Sequence, residues 1–397
     1  MKNNKTRIIV KTNQVSLLMK DQTQYEVIDR FNYDSIKSKS VLKFIKKIVE
    51  SVLGQGSTIH LCGSRAFCYN DTDFDIVVTY DHMSEEMFYK KCLATLKYSP
   101  YVAYVEKIQS KIETINIEMF NSVEINLIYT QTTNNYIKNP LIKNMIDIPN
   151  AVLGLVASNG GKINDFCKKY VIIRKISGYK KLVGSKYGYL NGISFLILTL
   201  KLYLDKLKSQ KKCVPNEEFV KLFFEKYANY EWKTQIISTL PLDIDLSIQS
   251  NYCDRFLMIR DILPPYENVN RTLVSCCWKI TQETFKACHE NFSESYLKKT
   301  RILRDNCVAI KICGKVKKHM IEYKRGISFQ IWKIAKDFVD IDPDTEWRYD
   351  EENSYYEYRI GINNTNESIS LINNINRIIA GCKNYDDVKV FAFYDYN

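Results

Sequence analysis

The residues best equipped for chemistry in this sequence are Gly63 and Ser64, followed by Asp73, Phe74, Asp75 and Ile76. On a strand, two aspartates at i and i+2 point to one face, while Phe74 and Ile76 point into a core. Such a pair can share divalent ions, because magnesium takes carboxylate oxygens and completes its shell with phosphate oxygens and water. A nucleoside triphosphate beside the pair would supply those phosphates. The Gly-Ser turn offers the other half of such a cradle. Glycine lets the backbone come close, and the N–H groups that follow, with the Ser64 hydroxyl, can hold phosphate oxygens. Taken alone, Asp-x-Asp on a strand also fits a surface edge or a loop calcium ligand.

The elements that must position these residues are legible in the hydrophobic pattern. Residues 35 to 54 place Val41, Leu42, Ile45, Ile48, Val49 and Val52 near a period of 3.6 residues, with Gly54 and Gly56 as the stop, which predicts an amphipathic helix. TIHLCGS reads as a strand entering a glycine turn, and FDIVVTY and VEINLIY read as two further strands, so an α/β unit is expected. From about residue 165 to 230 the pattern is helical, with YLNGISFLILTLKLYLDKL the longest segment and Pro215 and Asn216 opening the next helix. Beyond Pro264 and Pro265 comes one more helical stretch. Strands are then expected at 307 to 313, 355 to 362 and 388 to 393, with helices at Phe329 to Phe338 and Ser368 to Ala380. A small α+β sandwich closes the sequence.

The chain has 397 residues, of which 45% are apolar and 26% charged, which excludes a disordered or collagen-like chain and suggests two or three domains. Apolar runs such as Ile193 to Leu200 are short for a bilayer, and MKNNKTRIIV has no signal-like apolar region, so no membrane is expected. Twelve cysteines without CxxC spacing read as free, mostly buried thiols in a reducing compartment rather than as a zinc site at Cys276, Cys277, Cys288 and His289. The formal charge of +12 is concentrated. Lys162 to Lys186 carries eight basic residues against Asp165, and Lys298 to Arg325 carries ten against Asp305 and Glu322, a pattern that suits a polyanion. His60, His82, His289 and His319 form no acid-base constellation. Trp332 and Trp347 are expected to pack in a core more than to stack on bases.

Gly-Ser followed by Asp-h-Asp-h resembles the signature of the DNA polymerase β-like nucleotidyltransferases. Four further segments resemble the eukaryotic-type poly(A) polymerases within that superfamily: FNSVEINLIY (120–129), SNGGKIND (158–165), GYLNGIS (188–194) and PPYENVNRT (264–272). Their order and spacing match over nearly the whole chain. The resemblance implies an α+β multidomain fold: a nucleotidyltransferase α/β domain over 1–152, a helical nucleotide-binding domain over 153–300, and an RNA-recognition-motif-like domain over 301–397. It also implies addition of AMP from ATP to RNA 3′ ends by two Mg²⁺ or Mn²⁺ ions. Asp73 and Asp75 would hold the ions and Gly63 and Ser64 the triphosphate, with ATP between the first two domains. Asn159 would approach the nucleotide, and Arg174 takes the place of a phosphate-binding lysine. Lys175, with Lys180 and Lys181, would lie near the pyrophosphate. Ile193 would face adenine, and because Val183 replaces the family tyrosine, Tyr187 or Tyr179 would supply that contact. Lys311, Lys315, Lys317 and Lys318 would hold the RNA backbone.

One departure from the family stands out: Asn126 occupies the place of the third metal-binding aspartate. An amide can ligate but brings no charge, so the metal at the RNA 3′ hydroxyl should bind more weakly and activate it less. Three readings follow: rescue by Glu124 at i−2 on the same face, a weak or silent RNA-binding subunit, or a deliberately replaced aspartate. The rival enzyme readings are a terminal uridylyltransferase and an oligoadenylate-type synthase. The length resembles that of the compact poly(A) polymerases of large DNA viruses, which implies a cytoplasmic or virion location, with the nucleus as the alternative. The partners implied are ATP and an RNA 3′ end. A homodimer or a processivity subunit stays open.

Overall fold

Alternating β-branched residues build the sheet that carries the aspartates. In the computed structural model the described residues are 7–8, 36–67, 73–109, 112–120, 123–133, 136–210, 214–232, 236–239, 257, 259–263, 268–304, 306–338, 340–362, 365–382 and 385–396. The chain divides into two compact units: Met1–Val171 with Tyr203–Cys213 and Ile262–Tyr266, and Ile172–Leu202 with Val214–Asp261 and Glu267–Asn397.

The first unit contains strands β1 (Arg7–Ile8), β2 (Thr58–Cys62), β3 (Phe74–Tyr80), β4 (Val102–Ile108), β5 (Thr114–Met119), β6 (Glu124–Thr133) and β7 (Tyr136–Ile137). They lie in the order β1-β2-β3-β6-β5-β4, with β7 on β6. β3 runs parallel to β6, and β2 is antiparallel to β3. Helices α1 (Ile36–Leu53) and α2 (Glu85–Lys97) cover one face. There Val41, Leu42, Ile45 and Val49, with Phe88, Cys92 and Leu96, are buried with Ile76, Ile115, Ile117, Ile125 and Leu127 of the sheet. The helix and three strands expected over this region are present. Of the extra strands, β4 has adjacent charged residues that break its alternation and β5 is only six residues long, so both carry little signal in the sequence.

Helix α3 (Pro140–Ser158) begins with Pro140 at its first turn and Asn139 as its cap, the Asn139 side chain accepting from the N–H of Leu141 and Ile142. Among the described residues it is the one helix long and apolar enough to cross a membrane. Its apolarity has a use inside the unit, where Ile142 and Ile146 pack on Cys62, Val77 and Ile128 of the second sheet face. Asp75 and Asn126 lie two residues before Val77 and Ile128, so α3 and the polar site share that face.

The helical segment consists of α4 (Ile163–Tyr179), α5 (Gly192–Gln210), α6 (Asn216–Ala228) and α7 (Ser275–Glu290), followed by the short α8 (Glu294–Lys298). In the second unit Phe223, Phe224 and Phe285 pack edge to face, and Trp232 meets Trp278 in the same way. Cys276, Cys277 and Cys288 are buried, the first two thiols donating to the carbonyls of Ala335 and Tyr187.

The second sheet follows: β8 (Asn306–Gly314), α9 (Lys317–Asp337), β9 (Ile341–Pro343), β10 (Arg348–Asp350), β11 (Tyr355–Ile362), α10 (Thr365–Gly381) and β12 (Val388–Tyr396). Its strand order is β10-β11-β8-β12, with β9 on β11. All three expected strands are there, and the helix expected from Phe329 starts earlier, at Lys317. The second unit joins what the sequence divides at residue 300. Tyr187, 1% exposed, stacks on Tyr358, and the buried Tyr189 hydroxyl donates to Asp342, which also pairs with Arg301. Trp347 tilts against Tyr358 and donates its indole N–H to Ser328, a packing role, while the Trp332 side chain lies outside the described residues.

The strongest tie of this kind is ionic. Lys181, held at φ +52°, places its ammonium 2.9 Å from both carboxylate oxygens of Asp344, and both side chains are buried. Removing one partner of a buried pair strands the other charge and costs roughly 3–5 kcal/mol. Asp344→Ala should therefore lower the urea midpoint of unfolding sharply, whereas Asp344→Asn, which keeps an acceptor, should lower it less. Equal midpoints for Asp344→Ala and the unsubstituted protein would sink the assignment.

Candidate active site

β2 delivers the chain to Gly63, which turns at φ +65° into a short 3₁₀ turn, Gly63–Phe67. Two constraints select glycine here. The positive φ disfavours any side chain, and a Cβ would collide with the carboxylate of Asp75, the residue paired with Cys62 across the strands. Ser64 follows, half-buried, and Arg65 is buried. Arg65 donates from Nε to the carbonyl of Asp73 at 3.2 Å, with its guanidinium 3.7 Å from the centre of the Phe74 ring. The turn and the start of β3 are thus fastened by one side chain that carries no motif of its own.

Asp73 is exposed at the entry to β3 and Asp75 is half-buried one pleat further on. Strand pairing sets Asp75 beside Asn126 of β6, and Asn126 beside Asn116 of β5. The side chains form a chain of hydrogen bonds in the same order. Asn116 Nδ2 donates to Asn126 Oδ1 at 2.8 Å, and Asn126 Nδ2 donates to Asp73 at 2.8 Å and to Asp75 at 3.0 Å. Burial, and after it the neighbouring Asp73 charge, push the Asp75 carboxyl up to about 7, against the Asn126 hydrogen bond and Arg65, which pull it down.

The two carboxylates converge on a single nitrogen, so they also converge on a point where a cation could sit. Hard oxygen donors in that arrangement fit Mg²⁺ or Mn²⁺. Glu124 pairs with the buried Glu118 across β5 and β6. Among the described residues no three His, Cys, Asp or Glu side chains gather as a metal site, so the third polar group meeting Asp73 and Asp75 is the Asn126 amide rather than Glu124. Asn116 and Arg65 lie outside the motifs. Asn116 is one of the alternating polar residues of β5, TINIEM, and no local signal separates it from an ordinary solvent-facing position.

The other expected residues fall into separate settings. In the first unit Asn159 caps the C-terminus of α3, its amide donating to the Leu155 carbonyl, and Gly160 turns at φ +76°. In the second unit the buried Arg174 packs against the start of α5, its guanidinium 3.7–4.0 Å from where a Cβ on Gly192 would lie, next to the half-exposed Ile193. Lys175 is exposed on α4. Tyr187 differs from expectation, because its ring is buried on Tyr358 and has no surface for a base. Tyr179 is 43% exposed. Lys180 and Lys181 differ too: both are buried, Lys180 on the Tyr296 carbonyl and ring and Lys181 on Asp344, so their charges serve the core of the unit. Lys311 pairs with Glu357 and sits near the rings of Tyr355 and Phe393. Lys317 lies over Tyr349, and Lys315 and Lys318 are exposed. Pro264 to Glu267, part of the Pro-x-Tyr segment, lies outside the described residues.

No protein-family model matches the sequence, and no curated protein matches it significantly. Solved structures do resemble the fold. One of Cid1, described with its RNA terminal uridylyl transferase activity, aligns over 71% of this chain and 98% of its own, at 15% identity and a TM-score of 0.53. A mutant Cid1 poly(U) polymerase bound to MgATP aligns over 70% of this chain and 98% of its own, at 15% identity and a TM-score of 0.52. A cytoplasmic RNA terminal U-transferase aligns over 70% and 100%, at 15% identity and a TM-score of 0.50. The mixed α+β fold of this chain matches that of the Cid1 structures.

Proposed function

We propose that this chain is a template-independent RNA nucleotidyltransferase that adds AMP from ATP to RNA 3′ ends. The observation that carries the reading is the convergence of Asp73 and Asp75 on one point, against a glycine turn that leaves room for nothing larger. In this reaction the RNA 3′ hydroxyl gives up its proton to water, its oxygen bonds to the α-phosphorus of the nucleotide, the bond from that phosphorus to the α–β bridging oxygen breaks, and pyrophosphate leaves. Bound at the aspartates, two Mg²⁺ or Mn²⁺ ions would lower the pKa of the 3′ hydroxyl and neutralise charge on the phosphates. Asp73 and Asp75 hold that charge in place, Gly63 admits the triphosphate to the backbone, and Ser64 donates to it. Arg174 is proposed to bind phosphate, and Asn159 and Ile193 to meet the nucleotide. Lys175 and the exposed Lys315 and Lys318 suit the RNA backbone. The chain order β8-α9-β9-β10-β11-α10-β12, in which β10-β11-β8-β12 form the main sheet and β9 is a short addition on β11, supports the reading of residues 301–397 as an RNA-recognition-motif-like portion.

Uridylyl transfer from UTP is the second reading. It is favoured by the likeness to Cid1-type structures and by the burial of Tyr187, which removes one expected adenine contact.

Extension of a short RNA primer with each of the four NTPs, in Mg²⁺ and in Mn²⁺, separates these readings. Preference for ATP is the expected result, and preference for UTP moves the assignment to the second. Asp73→Ala should lower the rate by at least about a hundredfold, because it removes one of two anionic ligands, and Asn126→Asp should raise it by about tenfold or more. An Asp73→Ala protein as active as the unsubstituted one would overturn the assignment.

The raised Asp75 carboxyl adds a pH dependence. Asp75 must lose its proton before it holds a cation, so at limiting Mg²⁺ the rate should climb between about pH 6 and about pH 8, and excess Mg²⁺ should move the climb to lower pH. Without metal the sign for stability is opposite. The folded carboxyl binds its proton more tightly than the ordinary value of 3.8, so stability falls as pH rises from about 4 to about 7. Asp75→Asn should therefore unfold at higher urea than the unsubstituted protein at about pH 8 and not at about pH 4. Identical pH profiles for the two proteins would count against a raised Asp75.

A further inference from the structure

Asn116 holds Asn126, the residue that meets the carboxylate pair. Its Nδ2 donates to Asn126 Oδ1 at 2.8 Å, which leaves the Asn126 nitrogen to face Asp73 at 2.8 Å and Asp75 at 3.0 Å. A side-chain amide has one donor end and one acceptor end, so holding one end decides what the other presents. We propose that Asn116 is a positioning residue that turns together with Asn126, so that either end of the Asn126 amide can face Asp73 and Asp75, and that this paired turn governs how tightly the two carboxylates can share a divalent cation. The inference rests on the reading of the pair as a metal site and goes beyond it by naming what controls the site.

A cation and the Asn126 amide compete for the same carboxylate oxygens. An N–H aimed at a carboxylate occupies the lone pairs a cation needs, while an amide oxygen in the same place would itself be a ligand. To present that oxygen, Asn126 must turn its amide by half a rotation, which points its nitrogen at Asn116. Asn116 can then accept through its own oxygen by the same half-turn, because it too carries both functions. Aspartate at this position could accept and not donate. It would hold Asn126 permanently in the orientation that offers oxygen to the cation. The pairing of β5 with β6 keeps the two amides adjacent in either arrangement.

The test is Mn²⁺ binding, followed by electron paramagnetic resonance of the free ion, for the unsubstituted protein, Asn116→Asp, Asn126→Asp and the double variant. Asn116→Asp should tighten binding by about tenfold, the equivalent of one hydrogen bond made to a charged partner. In the Asn126→Asp background the same change should give no tightening, because a carboxylate has no ends to choose between. Equal tightening in both backgrounds would mean that added charge alone acts, and no tightening in either would remove Asn116 from the site; each result overturns the proposal. Insensitivity of Mn²⁺ binding to Asp73→Ala would instead overturn the metal-site reading beneath it. A second measurement needs no change at Asn116. In protein labelled with ¹⁵N at asparagine, the side-chain amide signals of Asn116 and Asn126 should move together as Mg²⁺ is added, and movement of Asn126 with Asn116 unmoved would also overturn it.

Discussion

Two carboxylates on one face of one strand, two residues apart, repel each other, and the sheet beside them burying one of the two makes the repulsion stronger. Much of the first unit can be understood as the means of keeping them there. A neutral amide from the neighbouring parallel strand donates to both, a second amide one strand further holds the first, and a buried arginine lowers the charge cost from the side of the turn. Glycine at the turn gives the second carboxylate the volume it needs. Each support comes from a different element, so the site belongs to the sheet and not to any one segment.

The second unit solves a different problem. It buries tyrosines and charged groups and pairs a central set of them: Tyr189 and Arg301 on Asp342, Lys181 on Asp344, Tyr358 on the Asp344 carbonyl. Buried polar groups without partners would cost more than the packing gains, so these contacts specify one arrangement of the helices against the second sheet. The basic stretch from Lys162 to Lys186 is therefore not one electrostatic surface. Lys175 faces solvent, whereas Lys180, Lys181 and Arg174 face the interior.

The sequence made the periodic elements legible, because α1 and the strands β2, β3 and β6 each follow one period and end at glycines or turn residues. It also made Gly63, Asp73 and Asp75 legible, since their chemistry depends on close spacing along the chain. What it could not reveal is what pairs across the sheet. Asn116 is one of several alternating polar residues of β5 with nothing local to mark it, and its partner is fixed by the register of β5 on β6. Tyr187 looks free to meet a base until Tyr358, far along the chain, is found stacked on it. The lysines at 180 and 181 mislead for the same reason, because their partners at 296 and 344 are equally remote.

The parallel pairing of β3 with β6 also has a meaning for how the protein is made. Phe74 to Tyr80 pairs with Ile125 to Gln131, so the intervening chain, with α2, β4 and β5, must close as a loop before Asp75 meets Asn126. Loop closure of this kind is slow compared with helix or hairpin formation. During synthesis, the two aspartates leave the ribosome long before the strand that relieves them, and α1 can form well ahead of both. The candidate site is accordingly a late product of folding, and a chain truncated before β6 would carry the whole Gly-Ser and Asp-x-Asp motif without assembling it.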